Sequence, residues 1–460
     1  MDFSAWRERL QKRLGLDRMT STQIIFFGYL AIILLGALLL CLPVSAQSRT
    51  WTSPLGALFT ATSATCVTGL IVYNTAAHWS LFGQLVILAL IQVGGMGFLT
   101  MAIIVSTAAR RRIGLRQRFT MQESISAPTL GGIVRLTSFI FKGVLLFEGA
   151  GALLLALRFI PLFGGAKGLY YAVFHSISAF CNAGFDLLGT FEGEGSLTYF
   201  VSDPLVCVTC AALILIGGLG FFVWEDLYLK RFAWRRYLLQ TKLVLVALAG
   251  LVAVPTVLLF LFEFDSAAFN GLSTPSKFLA AFFQACTART AGFNTVDLGR
   301  LSQAGKMIMI LLMLIGGNSG STAGGMKTTT VSVLVMTVVS TIRRDNEICA
   351  FGRRIHDKAL KDAVTIVTTY ITLAVGAAVF ISAYDRVPMI NALFESSSAV
   401  ATVGLTLGLT PKLSMLSQLL IICLMYFGRV GCLTMIYALN ERSASTAALS
   451  LNPLENIAVG

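Results

Sequence analysis

Charged residues are scarce in this chain of 460 residues, because Asp, Glu, Lys and Arg together make up only 12% of it. Globular domains contain about 25% charged residues, which cover the surface that faces water. The three histidines lie far apart, so the sequence contains no zinc or catalytic-triad signature. The scarcity of charge excludes a disordered protein, a secreted disulfide scaffold and an ordinary cytosolic enzyme.

Hydrophobic residues make up 56% of the chain, and the mean hydropathy is +0.79. Eight apolar runs are long enough to cross a bilayer, which takes about 20 residues. These runs lie at 24–45, 81–108, 138–160, 204–226, 240–263, 307–340, 364–384 and 415–438. Most of the nine cysteines lie inside them, so free thiols are expected rather than disulfides. The pattern predicts an integral membrane protein with several helical spans.

The net charge of +13 is carried by short basic clusters between the apolar runs. Such clusters occur in the N-terminal segment and at 110–118, 230–242 and 327–361, whereas the loop at 186–204 contains no Lys or Arg. Basic loops stay on the cytoplasmic side, so both termini and the three basic linkers are predicted to lie inside. Because the clusters alternate with spans, a nucleic-acid partner is not expected.

Four shorter apolar stretches lie between alternate pairs of runs, at 54–66, 169–181, 276–288 and 389–401. They are too short to cross a bilayer and are predicted to be re-entrant helices that enter from outside. Each ends in a small-residue turn that contains a glycine, namely Gly69, Gly184, Gly292 and Gly404. The intervals between these glycines are 115, 108 and 112 residues, and a second glycine cluster follows each one. The chain is therefore predicted to contain four copies of one unit.

The repeat predicts an all-α integral membrane fold with eight transmembrane helices and four re-entrant pore helices around one central pore. A cytoplasmic segment (1–20) precedes four pseudo-symmetric repeats, at 21–118, 119–230, 231–345 and 346–440, and a tail follows at 441–460. The end of this tail is apolar for an exposed terminus, so it is expected at a dimer interface.

The glycine turns are the candidate ion site. Backbone outside a helix is tolerated at membrane depth only where it is buried in protein or faces water. Four turns around one axis meet this condition if their carbonyl groups replace the hydration shell of a cation. The predicted filter residues are Val67, Thr68, Gly69, Asn182, Ala183, Gly184, Thr290, Ala291, Gly292, Thr402, Val403 and Gly404.

The motifs CVTGL, NAGFD, RTAGFNTVDL, TVGL and GGNSGSTAGGMKT, with the terminal ENIAVG, resemble the Trk/Ktr/HKT superfamily of potassium transporters, most closely its bacterial KtrB type. The resemblance covers essentially the whole chain. It implies potassium uptake across the bacterial plasma membrane, with stimulation by sodium. It also implies potassium binding at the carbonyl groups of Thr68, Ala183, Ala291 and Val403. Glycine at the first filter position marks potassium-permeable members, so Gly69 favours potassium.

The resemblance also implies a homodimer docked on a cytosolic ring of nucleotide-binding RCK subunits. Any nucleotide is then expected on that partner, and no cofactor is expected in this chain. The basic linkers suit docking either to the ring or to anionic membrane lipid. Two positions of the third repeat depart from the pattern, because Cys286–Thr287 stands where the other repeats have Ser–Ala.

Ten small or polar residues interrupt the second span of the third repeat. They are Gly316, Gly317, Asn318, Ser319, Gly320, Ser321, Thr322, Ala323, Gly324 and Gly325. Each glycine costs a helix about 1 kcal/mol relative to alanine, so a break that lines a cavity is expected. The resemblance assigns this loop as a gate beneath the filter; a glycine-rich packing contact is the alternative.

Arg429 lies in the last span, where an isolated charge is costly and usually functional. Its expected partners are carbonyl or hydroxyl groups of the 316–325 loop, and the alternative is a salt bridge elsewhere. Arg289 and Glu395 either pair behind the filter or bond to nearby backbone. His175 is expected to be structural.

The acidic residues Asp186, Glu192 and Glu194 either concentrate cations at the mouth or belong to a solvated loop.

Other transport functions stay open at this stage. The chain could be a sodium-permeable member of the same superfamily, or a secondary cation symporter that binds its substrate at the broken helix. Carriers of that kind usually contain inverted repeats of several spans, whereas here one short unit recurs in a single orientation. An enzyme is not predicted, because no cluster of titratable groups or metal ligands lies at membrane depth.

Overall fold

The computed structural model describes residues 20–97, 100–101, 120, 133–191, 195–231, 233–345 and 347–439. Helices account for most of this part of the chain. The predicted N-terminal segment up to residue 19, the basic cluster at 110–118, Glu192, Glu194 and the predicted tail lie outside the described residues.

The helices of the described residues fall into four successive sets, each with a long helix, a short helix and the helices that follow the glycine turn. The first two sets contain α1 (Ser21–Cys41), α2 (Pro54–Thr65), α3 (Thr75–His78) and α4 (Leu81–Met96), then α5 (Ile133–Phe163), α6 (Gly165–Phe180), α7 (Pro204–Gly218) and α8 (Phe221–Lys230). The third set contains α9 (Leu239–Phe262), α10 (Thr274–Thr287), α11 (Gln303–Leu314) and α12 (Thr328–Arg343). The fourth contains α13 (Asp357–Asp385), α14 (Met389–Val400), α15 (Met415–Val430) and α16 (Cys432–Leu439). A hairpin of β1 (Cys349–Ala350) and β2 (Arg353–Arg354) connects the last two sets.

Among the described residues, four helices are long and apolar enough to cross a membrane by themselves: most of α5, and the whole of α1, α9 and α13. Two further pairs pass the same test together although they bend sharply, by 94° between α7 and α8 and by 97° between α15 and α16. The helices α4, α11 and α12 are apolar but shorter. The fold is thus a multi-pass helical bundle of the class predicted from the composition.

The four predicted re-entrant stretches form the short helices α2, α6, α10 and α14. Polar caps and prolines define where helices around them begin: Ser273 caps α10, whose first turn contains Pro275, and Ser302 and Ser414 cap α11 and α15. Each short helix packs against the long helix that precedes it. Each short helix ends shortly before its glycine turn.

The four sets close into a ring. The helix that follows each turn packs against the short helix of the next set, in the pairs α4–α6, α7–α10, α11–α14 and α15–α2. The last pair joins the fourth set to the first, so the short helices surround a common centre. Alanine and phenylalanine fill the space between them, and Phe59, Phe174 and Phe394 are completely buried at the same position of three sets.

In three of the four sets the second glycine cluster allows close helix packing. A Cβ atom at Gly94, Gly217 or Gly428 would lie under 3.0 Å from a backbone carbonyl oxygen near the end of a short helix, in Thr65, Phe180 or Val400 respectively. A side chain at these positions would push the second helix away from the turn. The recurrence of glycine in the sequence therefore has a steric cause.

Candidate functional site

The four glycine turns have the same backbone conformation. The first residue of each has a positive φ angle, of 57° at Val67, 58° at Asn182, 74° at Thr290 and 52° at Thr402. The glycines at the third position have φ angles between 66° and 95°. Positive φ is uncommon outside glycine, so its recurrence at four equivalent residues indicates one shared turn geometry.

The turns converge in cyclic order around one centre. A Cβ atom at Gly69 would lie 2.5 Å from the carbonyl oxygen of Ala183, and one at Gly184 would lie 2.7 Å from that of Ala291. A Cβ atom at Gly292 would lie 2.6 Å from the carbonyl oxygen of Val403. The series closes because a Cβ atom at Gly404 would clash with the carbonyl oxygen of Thr68. The twelve residues selected from the sequence are thus brought together in one ring.

Hydrogen bonds hold the backbone N–H groups of the turns against their short helices. The N–H group of Thr68 donates to Ser63 O at 2.8 Å, and those of Ala183 and Val403 donate to Ser178 O and Ser398 O at the same distance. The hydroxyl groups of Ser63 and Ser398 accept from the next N–H groups, at Gly69 and Gly404. The N–H groups are therefore occupied on the side that faces the helices.

The carbonyl groups of the middle residues remain uncommitted. No described residue donates a hydrogen bond to the carbonyl oxygens of Thr68, Ala183, Ala291 or Val403. A buried carbonyl group without a partner is costly, unless water or an ion takes that place. A ring of four such oxygens is chemically suited to bind a dehydrated monovalent cation.

The third turn retains this geometry with a different residue. The Thr287 hydroxyl group donates to Phe293 O at 2.6 Å, as the Ser178 hydroxyl group donates to Phe185 O at 2.7 Å in the second turn. Thr287 stands one position later in its repeat than Ser178. In the third turn the hydroxyl group thus comes from the next residue along the helix, and it still forms the bond that holds the turn.

The ten residues at 316–325 leave the helical path between α11 and α12. Two of their N–H groups bond to the end of α7: Asn318 N donates to Gly218 O at 3.0 Å and Thr322 N donates to Gly217 O at 3.3 Å. Phe221 N donates in return to Gly320 O at 2.7 Å. The loop is thus attached to the bend between α7 and α8.

The same loop lies against the inner side of the turns. A Cβ atom at Gly316 would lie 3.2 Å from the Thr290 side chain, and one at Gly324 would clash with the Thr402 side chain. The Thr322 hydroxyl group donates to Phe180 O at 3.1 Å, at the end of α6. The loop therefore contacts the first residues of two turns and the helix that precedes a third.

Arg429 connects this loop to the first set of helices. Its guanidinium group donates to Thr322 O at 2.5 Å and to Gly95 O at 3.1 Å, and also to Gly94 O. Arg429 forms no ion pair with any carboxylate in the described part of the chain. Its charge is therefore compensated by backbone carbonyl groups, which agrees with the first of the two alternatives above.

The sequence analysis missed several residues of this site. Gly94 and Gly95 belong to the second glycine cluster, which indicated close packing but not a role as acceptors for a distant arginine. Lys327, which follows the loop, donates from Nζ to Ala323 O at 2.9 Å and to Gly324 O at 3.4 Å. The GGMKT motif contained this lysine, but nothing in its spacing predicted that the side chain turns back to the loop.

Two cavities border this site, and we call them outer and inner after the sides of the membrane predicted from the basic clusters. The outer one has a volume of about 320 Å³ and is lined by all four turn glycines together with Asp186, Asp297 and Thr406. The inner one has a volume of about 200 Å³ and is lined by loop residues and by Lys327 and Arg429. The cavity beside the turn glycines is thus lined by carboxylates, and the cavity beside the loop is lined by cationic side chains.

The remaining polar residues have the following partners in the structure. Arg289 donates to the Thr328 hydroxyl group at 3.2 Å, while Glu395 accepts from the hydroxyl groups of Thr406 and Thr410, so the proposed Arg289–Glu395 pair is wrong. His175 is completely buried with both ring nitrogens in hydrogen-bond contact, which agrees with the structural role. No group of three or more metal-ligating side chains occurs within the described residues.

Residues 4–445 match the TrkH family, which is described as a cation transport protein. The chain belongs to the TrkH family. It is 37% identical over 455 residues to the potassium/sodium uptake protein NtpJ of Enterococcus hirae, covering 98% of this chain and 100% of the relative. It is 37% identical over 430 residues to the Ktr system potassium uptake protein B of Bacillus subtilis, covering 93% of this chain and 95% of the relative.

The fold is shared with a solved member of the family. The crystal structure of the potassium transporter TrkH from Vibrio parahaemolyticus matches with a TM-score of 0.70 at 19% identity, over 90% of this chain and 85% of that one. The family resemblance read from the sequence motifs is therefore confirmed. The chain is a membrane transport protein for cations and not an enzyme.

Proposed function

We propose that this chain is the ion-translocating subunit of a Ktr-type potassium uptake system in a bacterial plasma membrane. The observation that supports this most directly is the closed ring of four uncommitted carbonyl groups at Thr68, Ala183, Ala291 and Val403. The names of the relatives from Enterococcus hirae and Bacillus subtilis, both potassium uptake proteins, support the same ion.

The fold assigned to this function has eight membrane spans and four re-entrant pore helices, in repeats with the boundaries given in the sequence analysis. The bent pairs α7–α8 and α15–α16 each count as one span, and α11 with α12 forms another across the loop. The cyclic packing of the short helices supports one central pore. The basic clusters support a cytoplasmic position for both termini.

Potassium enters the outer cavity, where the carboxylates of Asp186 and Asp297 attract cations. It then exchanges hydrating water for the carbonyl oxygens of the turns, whose positions are held by the hydrogen bonds to the short helices. A rigid ring favours an ion whose size matches it, so the filter residues Val67 to Gly69 and their equivalents determine which cation passes.

The loop at 316–325 acts as the gate. It lies on the inner side of the turns, and Arg429 and Lys327 hold it there through its own carbonyl groups. Transport requires these residues to release the loop, because the loop and the two cationic side chains border the inner cavity. This mechanism assigns Arg429 a role in closing the pore.

The filter assignment is tested with Gly69→Ser in the full-length chain reconstituted into liposomes. A side chain at this glycine would meet Ala183 O and would need a φ of 95°, so lower potassium uptake and weaker potassium preference over sodium are expected. Gly250→Ser in α9 is the matched control, because a Cβ atom there meets nothing within 4 Å. Wild-type potassium preference in Gly69→Ser would contradict the filter assignment.

The partners of this function are a second copy of the chain and a cytosolic ring of RCK-type regulatory subunits that bind the nucleotide. The name of two relatives, Ktr system potassium uptake protein B, supports a further component of the system besides this subunit. Sodium is proposed to stimulate uptake, and membrane lipid surrounds the spans. Flux measured with and without the purified ring and with and without sodium tests both statements.

A sodium-permeable transporter is the second candidate, and the name of the Enterococcus hirae relative, a potassium/sodium uptake protein, favours it. The coupled symporter considered from the sequence would bind its ion at the 316–325 loop. In liposomes, a sodium-permeable filter would pass sodium and potassium independently. A symporter would show a fixed ratio of the two ions and saturable uptake.

A further inference from the structure

Glu395 is completely buried in α14, seven residues before the first residue of the fourth turn. Its carboxyl group accepts a hydrogen bond from the Thr406 hydroxyl group at 2.9 Å and another from the Thr410 hydroxyl group. No Lys or Arg of the described residues forms an ion pair with Glu395.

The segment bound by Glu395 is the one that leaves the fourth turn. Thr406 lies two residues after Gly404 and lines the outer cavity beside the four turn glycines. Its hydroxyl oxygen accepts from Gly408 N at 3.0 Å and from Leu409 N at 3.2 Å. One hydroxyl group therefore connects the buried carboxyl group, the end of the turn and the next backbone segment.

The second repeat has an analogous tether with different chemistry. His175 occupies the position equivalent to Glu395, seven residues before Asn182. Its Nδ1 atom lies 2.7 Å from Tyr171 O and therefore carries the proton, which leaves Nε2 to accept from Leu187 N at 3.3 Å. Leu187 lies three residues after the turn glycine, so the exit segment is again bound from the short helix.

The third repeat uses the neighbouring position, and the first repeat has no such bond. In the third, Gln284 donates to the Thr295 hydroxyl group at 3.3 Å, three residues after Gly292. In the first, Thr60 stands at the Glu395 position, but its hydroxyl group donates to Gly56 O within its own helix. Three of the four exit segments are thus tied to their short helices by a side chain.

The hydroxyl groups of Thr406 and Thr410 satisfy the buried carboxyl group of Glu395, and the same bonds fix the backbone segment that leaves the fourth turn. We propose that Glu395 is a positioning residue for the fourth turn, and that its bonds to Thr406 and Thr410 determine how strongly the filter prefers potassium to sodium. The inference rests on the filter function proposed above. Its physical reason is that discrimination depends on where the carbonyl oxygens are held.

The test uses Thr406→Val and Thr410→Val in the full-length chain reconstituted into liposomes, with influx of radioactive rubidium and of radioactive sodium measured separately. Each variant removes one donor to Glu395 and nearly preserves side-chain volume. Thr406→Val also removes the acceptor of Gly408 N and Leu409 N, so Thr410→Val is the cleaner test of the bond to Glu395. We expect the sodium-to-rubidium influx ratio to rise by roughly three- to tenfold, the effect of one lost hydrogen bond. Glu395→Gln replaces one of the two accepting oxygens with an NH₂ donor, so the ratio should rise in this variant as well.

Thr60→Val is the matched control, because the equivalent hydroxyl group bonds only within its own helix. It should leave the influx ratio unchanged. An unchanged ratio in both Thr406→Val and Thr410→Val, with protein that is folded by size-exclusion chromatography, would overturn the proposal. An equal rise in Thr60→Val would also overturn it. Failure of the filter function itself would appear separately, as a wild-type chain with no preference between the cations.

Discussion

The guanidinium group of Arg429 lies 2.5 Å from the backbone carbonyl oxygen of Thr322, and this bond joins the last long helix of the chain to the loop at 316–325. The same guanidinium group donates to Gly95 O at 3.1 Å, so it connects three of the four helix sets. The charged side chain stabilises one position of the loop by binding its carbonyl groups. Because the loop is not helical, these bonds can break without unfolding a helix.

Arg429→Gln should increase cation flux through the reconstituted protein. The substitution removes charge-assisted bonds that are worth about 1.5–3 kcal/mol each, which corresponds to roughly tenfold or more in the ratio of open to closed loop. Rubidium influx into liposomes without a regulatory partner measures this change. Arg386→Gln, at an exposed residue after α13, is the control, and flux that is equal in the two variants would argue against the gate.

Lys327→Met should also loosen the loop, because its ammonium group donates to both Ala323 O and Gly324 O. Methionine has a similar length without a donor, so packing is nearly retained while the bonds are lost. Flux is expected to increase, though by less than in Arg429→Gln, because Lys327 holds only its own loop and not a neighbouring helix set. If flux in Lys327→Met equals that of the wild type, Lys327 does not restrain the loop.

Gly217→Ala should destabilise the protein by about 1–3 kcal/mol, because the added methyl group would overlap Phe180 O and push α7 away from α6. Gly250→Ala is the matched control in α9, where a Cβ atom meets nothing within 4 Å. Alanine there should be neutral or stabilising by up to about 1 kcal/mol, since glycine weakens a helix. Thermal unfolding in detergent measures both variants, and equal midpoints would contradict the steric reason for the second glycine cluster.

Asp186→Asn should reduce uptake at low ionic strength, since Asp186 lines the outer cavity and its negative charge attracts cations. The loss should shrink as salt is added, because screening weakens attraction at a distance. Burial raises the pKa of Asp186, so lowering the external pH should remove its charge sooner than for an exposed aspartate. At acid pH, uptake by the wild type should then fall towards that of the Asn variant. A difference in uptake that stays constant with pH would contradict this role.

Local features of the site could be read from the sequence. The turn glycines, the short helices before them and the break at 316–325 depend on residue type over short segments, because glycine permits positive φ and small polar residues do not sustain a helix. The positions of Val67 to Gly69 and of their three equivalents followed from the repeat alone. The structure places all four turns in one ring, with their glycines against neighbouring carbonyl groups.

Side-chain partners were harder to predict. Arg289 and Glu395 carry opposite charges and belong to adjacent repeats, yet each bonds to threonine hydroxyl groups instead. Hydroxyl groups within reach satisfy a buried carboxyl group without a second buried ion, and their proximity depends on the path of the chain after the turn. Opposite charges in a sequence do not show which path the chain takes after the turn.

The amino-acid sequence by itself determined that the chain is a helical membrane protein, that one unit recurs four times, and where each unit turns, because hydropathy and backbone freedom are properties of neighbouring residues. Only the tertiary structure decided that the units close in cyclic order and that Arg429 reaches Gly94 and Gly95, more than three hundred residues away. The physical reason is that hydrogen bonds are short-ranged and directional, so the packing of distant helices selects which donor meets which acceptor.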